Sequence, residues 1–179
     1  MHLFVFLLFF FRKKKEEIIL TDEFKYIINV LENSNSNVFI SGKAGTGKST
    51  LLKYFCKRTS KHYVLLAPTG VAALNIKGQT IHSFFKFPPK LLNKSDIKVD
   101  YVKDSLFKNI QMVIIDEVSM VSSNLMDSID YALRINRNKE DLPFGGVQIV
   151  FIGDLFQLPP VVKEAEQQYF QDKYGGIYF

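Results

Sequence analysis

Residues 38–41, VFIS, run directly into GKAGTGKS at 42–49, and no other stretch restricts the fold as tightly. The octapeptide fits G-x-x-x-x-G-K-[ST], with Gly42, Gly47, Lys48 and Ser49 at the fixed positions. Glycines let a loop wrap a phosphate with its backbone N–H groups, and the helix that follows points its positive end at the same anion. Lys48 supplies a mobile point charge to the β- and γ-phosphates of ATP, and the Ser49 hydroxyl is a ligand for Mg²⁺. Ala44, Gly45, Thr46 and Thr50 complete the segment expected around the nucleotide. The competing reading is a glycine-rich turn that enters a helix and binds nothing. Either way a buried strand precedes the loop and a helix follows it.

That strand–loop–helix unit predicts more of its kind. HYVLLA (62–67), MVIID (112–116) and VQIVFIG (147–153) are short unbroken apolar runs, as expected of strands buried on both faces. Helical stretches lie between them at 48–58, about 69–76 and 122–135, after an amphipathic first helix from Thr21 to Leu31 with Thr21 or Asp22 as its N-cap. Strands alternating with helices, joined by connections too long for hairpins, predict an α/β fold with a parallel sheet and helices on both faces. A chain of 179 residues, 47% apolar and with 17 Phe, has the material for one domain with a sizeable core. Residues 86–98, with Pro88, Pro89 and four lysines, read as an exposed loop, and 136–146 as another. The end, EAEQQYFQDKYGGIYF, carries no strong pattern.

Open parallel sheets bind ligands at the carboxyl ends of their strands. There MVIIDEVSM places Asp116 and Glu117, adjacent carboxylates with no packing role. Asp116 is the candidate to hold Mg²⁺, directly or through its waters, and Glu117 to polarise the water that attacks the γ-phosphate. The bland reading is a helix start enriched in acids. A third strand end, VFIGDLFQLPP (150–160), breaks at Gly153, sets a carboxylate at Asp154 and an amide at Gln157, and stiffens at Pro159 and Pro160. If three strands end on one ligand, Gln157 can hydrogen-bond the γ-phosphate or the attacking water and lose that bond after hydrolysis. Otherwise it is a solvated loop glutamine.

A formal charge of +5 mildly favours an anionic partner, though solvated lysines explain it equally well. One cysteine, Cys56, excludes an internal disulfide, and no His or Cys spacing resembles a zinc site. The composition suits a reducing cytoplasm. The opening MHLFVFLLFFF, followed by RKKKEE, spans roughly 16 Å as a helix, about half a bilayer's hydrocarbon thickness, and so reads as a poorly ordered leader or a weak interfacial anchor.

GKAGTGKST, APTGVAALNIKGQTIHSFF, VIIDEVSMV and VFIGDLFQLPPV together resemble the Pif-type DNA helicases, superfamily-1 motors related to RecD, over about residues 20–162. The segment between the last two motifs, with Arg134 and Arg137, is similar to that family's signature region. The resemblance implies a RecA-like P-loop NTPase domain at 20–162, a leader at 1–19 and a C-terminal tail at 163–179. It implies Mg-ATP hydrolysis coupled to 5′-to-3′ movement on single-stranded or forked DNA, by a monomer in the cytoplasm or nucleoid that needs no membrane. By position, Thr69, Gly70, Val71, Thr80, His82 and Phe84 become candidate DNA contacts. A glycine at a helix start admits phosphate, and an aromatic or imidazole ring can stack on a base. For Val71 and Phe84 core packing competes with that reading, and for His82 a buried structural role does.

The sequence departs from the family in two places. The family's N-terminal helix usually carries a glutamine that reads adenine, and LTDEFKYI has Phe24 or Lys25 near that position. A complete motor also has a second RecA-like domain supplying arginines to the γ-phosphate, and nothing in the chain matches it. The expectation is an N-terminal motor half that binds nucleotide and hydrolyses it poorly. The alternatives are a nucleotide-regulated DNA-binding module without turnover and an inert helicase fragment.

Overall fold

A computed structural model describes residues 20–178. The expected leader at 1–19 lies outside the described residues. In chain order the elements are α1 (Asp22–Asn33), β1 (Val38–Ser41), α2 (Lys48–Cys56), β2 (Tyr63–Ala67), α3 (Gly70–Ile76), β3 (Gln79–Thr80), α4 (Ile81–Phe85), α5 (Asp104–Asn109), β4 (Met112–Ile115), α6 (Ser123–Arg137), β5 (Gln148–Gly153) and α7 (Gln167–Tyr174). Short 3-10 turns punctuate the connections.

The five strands form one parallel sheet in the order β1-β5-β4-β2-β3. Period-2 alternation distributes the side chains between two cores. Met112 and Ile114 of β4 pack with Leu51, Phe55 and Ile76 of α2 and α3, and Val113 and Ile115 pack with Phe84, Phe107 and Ile129 of α4, α5 and α6. All four β4 residues are fully buried, each side chain contributing roughly 1.5–3 kcal/mol over an exposed position. Helices cover both faces, as the apolar runs require.

Helix starts follow their caps. Thr21 accepts the Phe24 N–H at 3.2 Å and Ser122 accepts the Leu125 N–H at 3.2 Å, so Thr21 rather than Asp22 opens α1. The segment 86–98 departs from the exposed loop its prolines and lysines suggest. Phe87, Leu92 and Ile97 are buried, and the Asn124 side chain accepts the Leu92 N–H and donates to the Leu92 carbonyl. Its lysines stay outside, where Lys86 and Lys90 pair with Asp100 and Asp96. The patternless end folds as well: Phe170 of α7 is buried, and the Ser123 N–H donates to the Ile177 carbonyl at 2.9 Å.

For function the decisive feature is adjacency. β1, β5 and β4 are neighbours, so the three loops leaving their carboxyl ends open at one place.

Candidate nucleotide-binding site

The loop after β1 is held in shape by its own groups. Thr46 donates its hydroxyl to the Lys43 carbonyl at 2.9 Å, and Gly47 takes a left-handed conformation at φ 91° as α2 begins. A Cβ at Gly47 would come within 2.9 Å of the tip of the Phe24 ring, a side chain that can turn aside, so it is the left-handed conformation that calls for glycine there. The Lys48 ammonium donates to the carbonyls of Gly42 and Lys43.

A cavity of about 370 Å³ opens where the three loops meet. Ala44, Gly45, Gly47, Lys48, Ser49 and Thr50 line it from the first loop, Asp116 and Glu117 from the end of β4, and Asp154 and Gln157 from the end of β5. Gly42 and Thr46, expected to bind the nucleotide, do not line it; they shape the loop through the Lys48 and Lys43 contacts. Size does not single this cavity out, since a cleft of about 550 Å³ opens beside α6. Its chemistry does: a helix N-terminus and a lysine face three carboxylates across a gap.

Two of those carboxylates, Asp116 and Glu117, are electrostatically expensive to ionise. Burial raises the pKa of Asp116, with Lys48 opposing the shift. Glu117 is raised by burial first and by the charge of Asp116 second, with Asp154 adding to the rise and Lys48 opposing it. Glu117 also sits at φ 52°, ψ 43°, a left-handed conformation that costs a non-glycine residue roughly 1–2 kcal/mol. Such strain is retained where the surroundings fix it, commonly at functional sites. Among the described residues no group of three or more His, Cys, Asp or Glu side chains forms a metal cluster by itself. The Ser49 hydroxyl and the Asp116 carboxylate are hard oxygen donors beside a phosphate-sized cavity, which fits Mg²⁺, an ion usually held by one or two carboxylates together with substrate phosphates.

The candidate DNA segment divides. Thr69 and Thr80 spend their hydroxyls on capping α3 and α4, accepting the N–H groups of Ala72 and Ser83. Gly70 opens α3 with nothing within 4 Å of where a Cβ would stand, and Val71 is 73% exposed, which removes the core-packing reading for it. His82 is half-buried, meets Phe87 edge-on at 6.5 Å, and has its pKa lowered by burial. It lines a groove with Thr69, Pro160, Val161 and Val162, so the segment after Gln157 shares that groove. Phe84 is a correction. It is 2% exposed, with its ring centroid 4.8 Å from that of Phe85 and 5.5 Å from that of Phe107, and no face is left for a base.

Arg134 and Arg137 lie away from the cavity. Arg134 pairs with Asp130 at 2.6 Å, and Arg137 donates to the carbonyls of Phe107, Ile110 and Gly145, tying α5 and the turn before β5 to α6.

A family model described as PIF1-like helicase matches residues 19–173. The chain belongs to the PIF1-like helicase family. The ATP-dependent DNA helicase RRM3 of Saccharomyces cerevisiae is 38% identical over 158 residues, covering 83% of this chain and 22% of that protein. The ATP-dependent DNA helicase PIF1 of the same species is 41% identical over 160 residues, covering 82% and 18%. Among solved structures, Bacteroides Pif1 in complex with ADP-AlF3 and single-stranded DNA superposes with a TM-score of 0.84 at 43% identity, covering 91% of this chain and 38% of that one. A structure of two coordinating Pif1 helicases at forked double-stranded DNA gives 0.84 at 44% identity, covering 90% and 40%. This PIF1-like chain therefore spans about a fifth of those two curated relatives and about two fifths of the solved chains. The fold is the RecA-like one that the motifs predict.

Two residues of this PIF1-like site went unassigned in the sequence. Asp154 received no role, although it follows β5 as Asp116 follows β4, and that parallel was its available signal. Phe24, near the position of the family's glutamine, places its ring beside Gly47, an approach that has no local signature in the sequence.

Proposed function

We propose that this chain is the Mg-ATP-binding N-terminal motor domain of a 5′-to-3′ DNA helicase. The observation that carries this reading is the cavity in which Lys48, Ser49, Asp116, Glu117 and Gln157 converge from three neighbouring strand ends. Phosphates sit in the loop 42–47 against the first N–H groups of α2, and the Lys48 ammonium leaves the carbonyls of Gly42 and Lys43 for the β- and γ-phosphates. Ser49 and Asp116 hold Mg²⁺, which when bound neutralises charge on the phosphate oxygens. Glu117 accepts a proton from the attacking water. The water oxygen forms the new bond to phosphorus, and the bond to the ADP oxygen breaks with its electron pair.

Gln157 loses its partner after hydrolysis, and the groove lined by His82 and Pro160–Val162 gives that change a path to DNA. Thr69, Gly70, Val71, Thr80 and His82 form the strand-facing segment, and the partner is single-stranded or forked DNA bound by a monomer. Support comes from the relatives named ATP-dependent DNA helicases and from the Bacteroides homologue solved with a nucleotide analogue and single-stranded DNA. The described cavity lining contains one cation, Lys48, and an arginine finger contributes roughly 10³–10⁵ in rate in nucleotide hydrolases. A second RecA-like domain is therefore part of the proposal as the source of full activity. The test is ATP turnover by this chain with and without single-stranded DNA. Slow, DNA-insensitive turnover is expected, and strong DNA-stimulated turnover by the chain alone contradicts the need for a second domain.

A further inference from the structure

Gln157 stands at the mouth of the cavity, yet one end of its amide is already committed. Asp154, 8% exposed at the end of β5, accepts the Phe156 N–H through Oδ1 at 3.1 Å and faces Gln157 Nε2 through Oδ2 at 3.2 Å. The Gln157 backbone N–H donates to the Asp154 carbonyl at 2.9 Å, closing the same turn. A carboxylate carries acceptors only, so the part of the amide turned toward it has to be the NH₂ group. The carbonyl oxygen Oε1 is then the end left over, and no group among the described residues donates to it.

We propose that Asp154 is a positioning residue that sets the polarity of the Gln157 amide, so that Gln157 offers the cavity a hydrogen-bond acceptor and engages the attacking water rather than a phosphate oxygen. Phosphate oxygens at neutral pH need donors, and an acceptor pointed at them repels. A water has protons to give, and a second acceptor beside Glu117 fixes its lone pair toward phosphorus. The inference rests on the reading that this cavity hydrolyses ATP and decides between the two partners the sequence left open for Gln157.

Asp154→Asn reverses the polarity without changing the shape. The Phe156 N–H still requires an oxygen, which puts the Asn amide nitrogen toward residue 157, draws Oε1 out of the cavity and turns the Gln157 NH₂ inward. With the chain in excess over ATP, single-turnover hydrolysis should slow on the order of 10²-fold while nucleotide affinity stays within about twofold. Affinity for ADP with aluminium fluoride should fall relative to ADP alone, which reads the same effect without turnover. Adding Gln157→Glu to Asp154→Asn restores the total charge, gives the Asn nitrogen an acceptor and leaves one carboxylate oxygen for the water. That double variant should recover at least about tenfold of the lost rate and the aluminium fluoride affinity, a rescue that a merely structural Asp154 does not provide. Wild-type behaviour of Asp154→Asn in both assays, or a double variant no better than the single one, overturns the proposal. Wild-type nucleotide affinity in Lys48→Ala would instead show that the nucleotide is not bound in this cavity, which overturns the functional reading itself.

Discussion

Gly153 leaves no room for a side chain beside Val118: a Cβ there would stand 3.0 Å from Val118 Cγ1 and 3.1 Å from the Val118 backbone nitrogen. The end of β5 thus presses directly on the turn that follows Glu117. Two of the three strand ends forming the cavity meet through the Val118 side chain and through the backbone nitrogens of Val118 and Ser119.

Replacing Gly153 with alanine should therefore move the turn, because the backbone nitrogen has no rotamer to change. Overpacking of this kind costs about 1–3 kcal/mol. In a chain of this size that lowers Tm by roughly 2–4 °C per kcal/mol. Thermal melts and single-turnover assays of Gly153→Ala should show both a lower Tm and slower hydrolysis, because Glu117 is displaced with the turn. Unchanged Tm and rate would mean that the contact transmits nothing.

Glu117→Gln should keep nucleotide binding and lower turnover on the order of 10²- to 10⁴-fold, the usual contribution of general acid–base catalysis. Its raised pKa gives this prediction a pH signature. The folded state holds the Glu117 proton more tightly than the unfolded chain does, so the ionised residue costs stability at neutral pH and nothing at pH below the ordinary glutamate range. The variant should melt higher than wild type near pH 7, and the gain should begin to shrink as pH falls through the raised pKa and vanish below the ordinary glutamate range. Wild-type turnover should fall over the same interval, at higher pH than an unperturbed glutamate would give. Melting curves and rates across pH check both.

Phe84 and Val71 share one sequence motif and should respond in opposite ways. Phe84→Ala removes a fully packed ring and should cost about 3–5 kcal/mol, read by denaturant unfolding. Val71→Ala, at an exposed position, should change stability by about 0.5 kcal/mol or less and weaken single-stranded DNA binding, read by fluorescence anisotropy. A DNA-binding loss at Phe84 without loss of stability would restore the stacking role.

That pair shows where sequence reading ends. The apolar runs at 112–115 and 149–152 identify buried parallel strands because burial on both faces leaves no polar positions, and the loop after β1 follows from the left-handed φ that Gly47 supplies. A motif does not say which side chains of a short helix turn inward. Phe84 and Val71 are both apolar, and only the packing of α4 on Phe107 sends the first into the core. The segment 86–98 misled for a related reason. Its prolines and lysines are loop composition, while the hydrogen bonds that anchor the Leu92 backbone come from Asn124, far along the chain, and its side chain joins an apolar core built from several elements. Asp154 was visible as a residue, but its bond to Gln157 depends on a turn that the sequence signals only weakly.

The turnover predictions above rest on the proposed binding of Mg-ATP in the Lys48 cavity. Isothermal titration of the 179-residue chain with a non-hydrolysable ATP analogue in the presence of Mg²⁺ tests it most directly. Saturable one-to-one binding is expected that weakens when Mg²⁺ is withdrawn and falls about 10- to 100-fold in Lys48→Ala, as for loss of charge-assisted hydrogen bonds. Equal affinity in wild type and Lys48→Ala, or no binding to the wild-type chain, would contradict it.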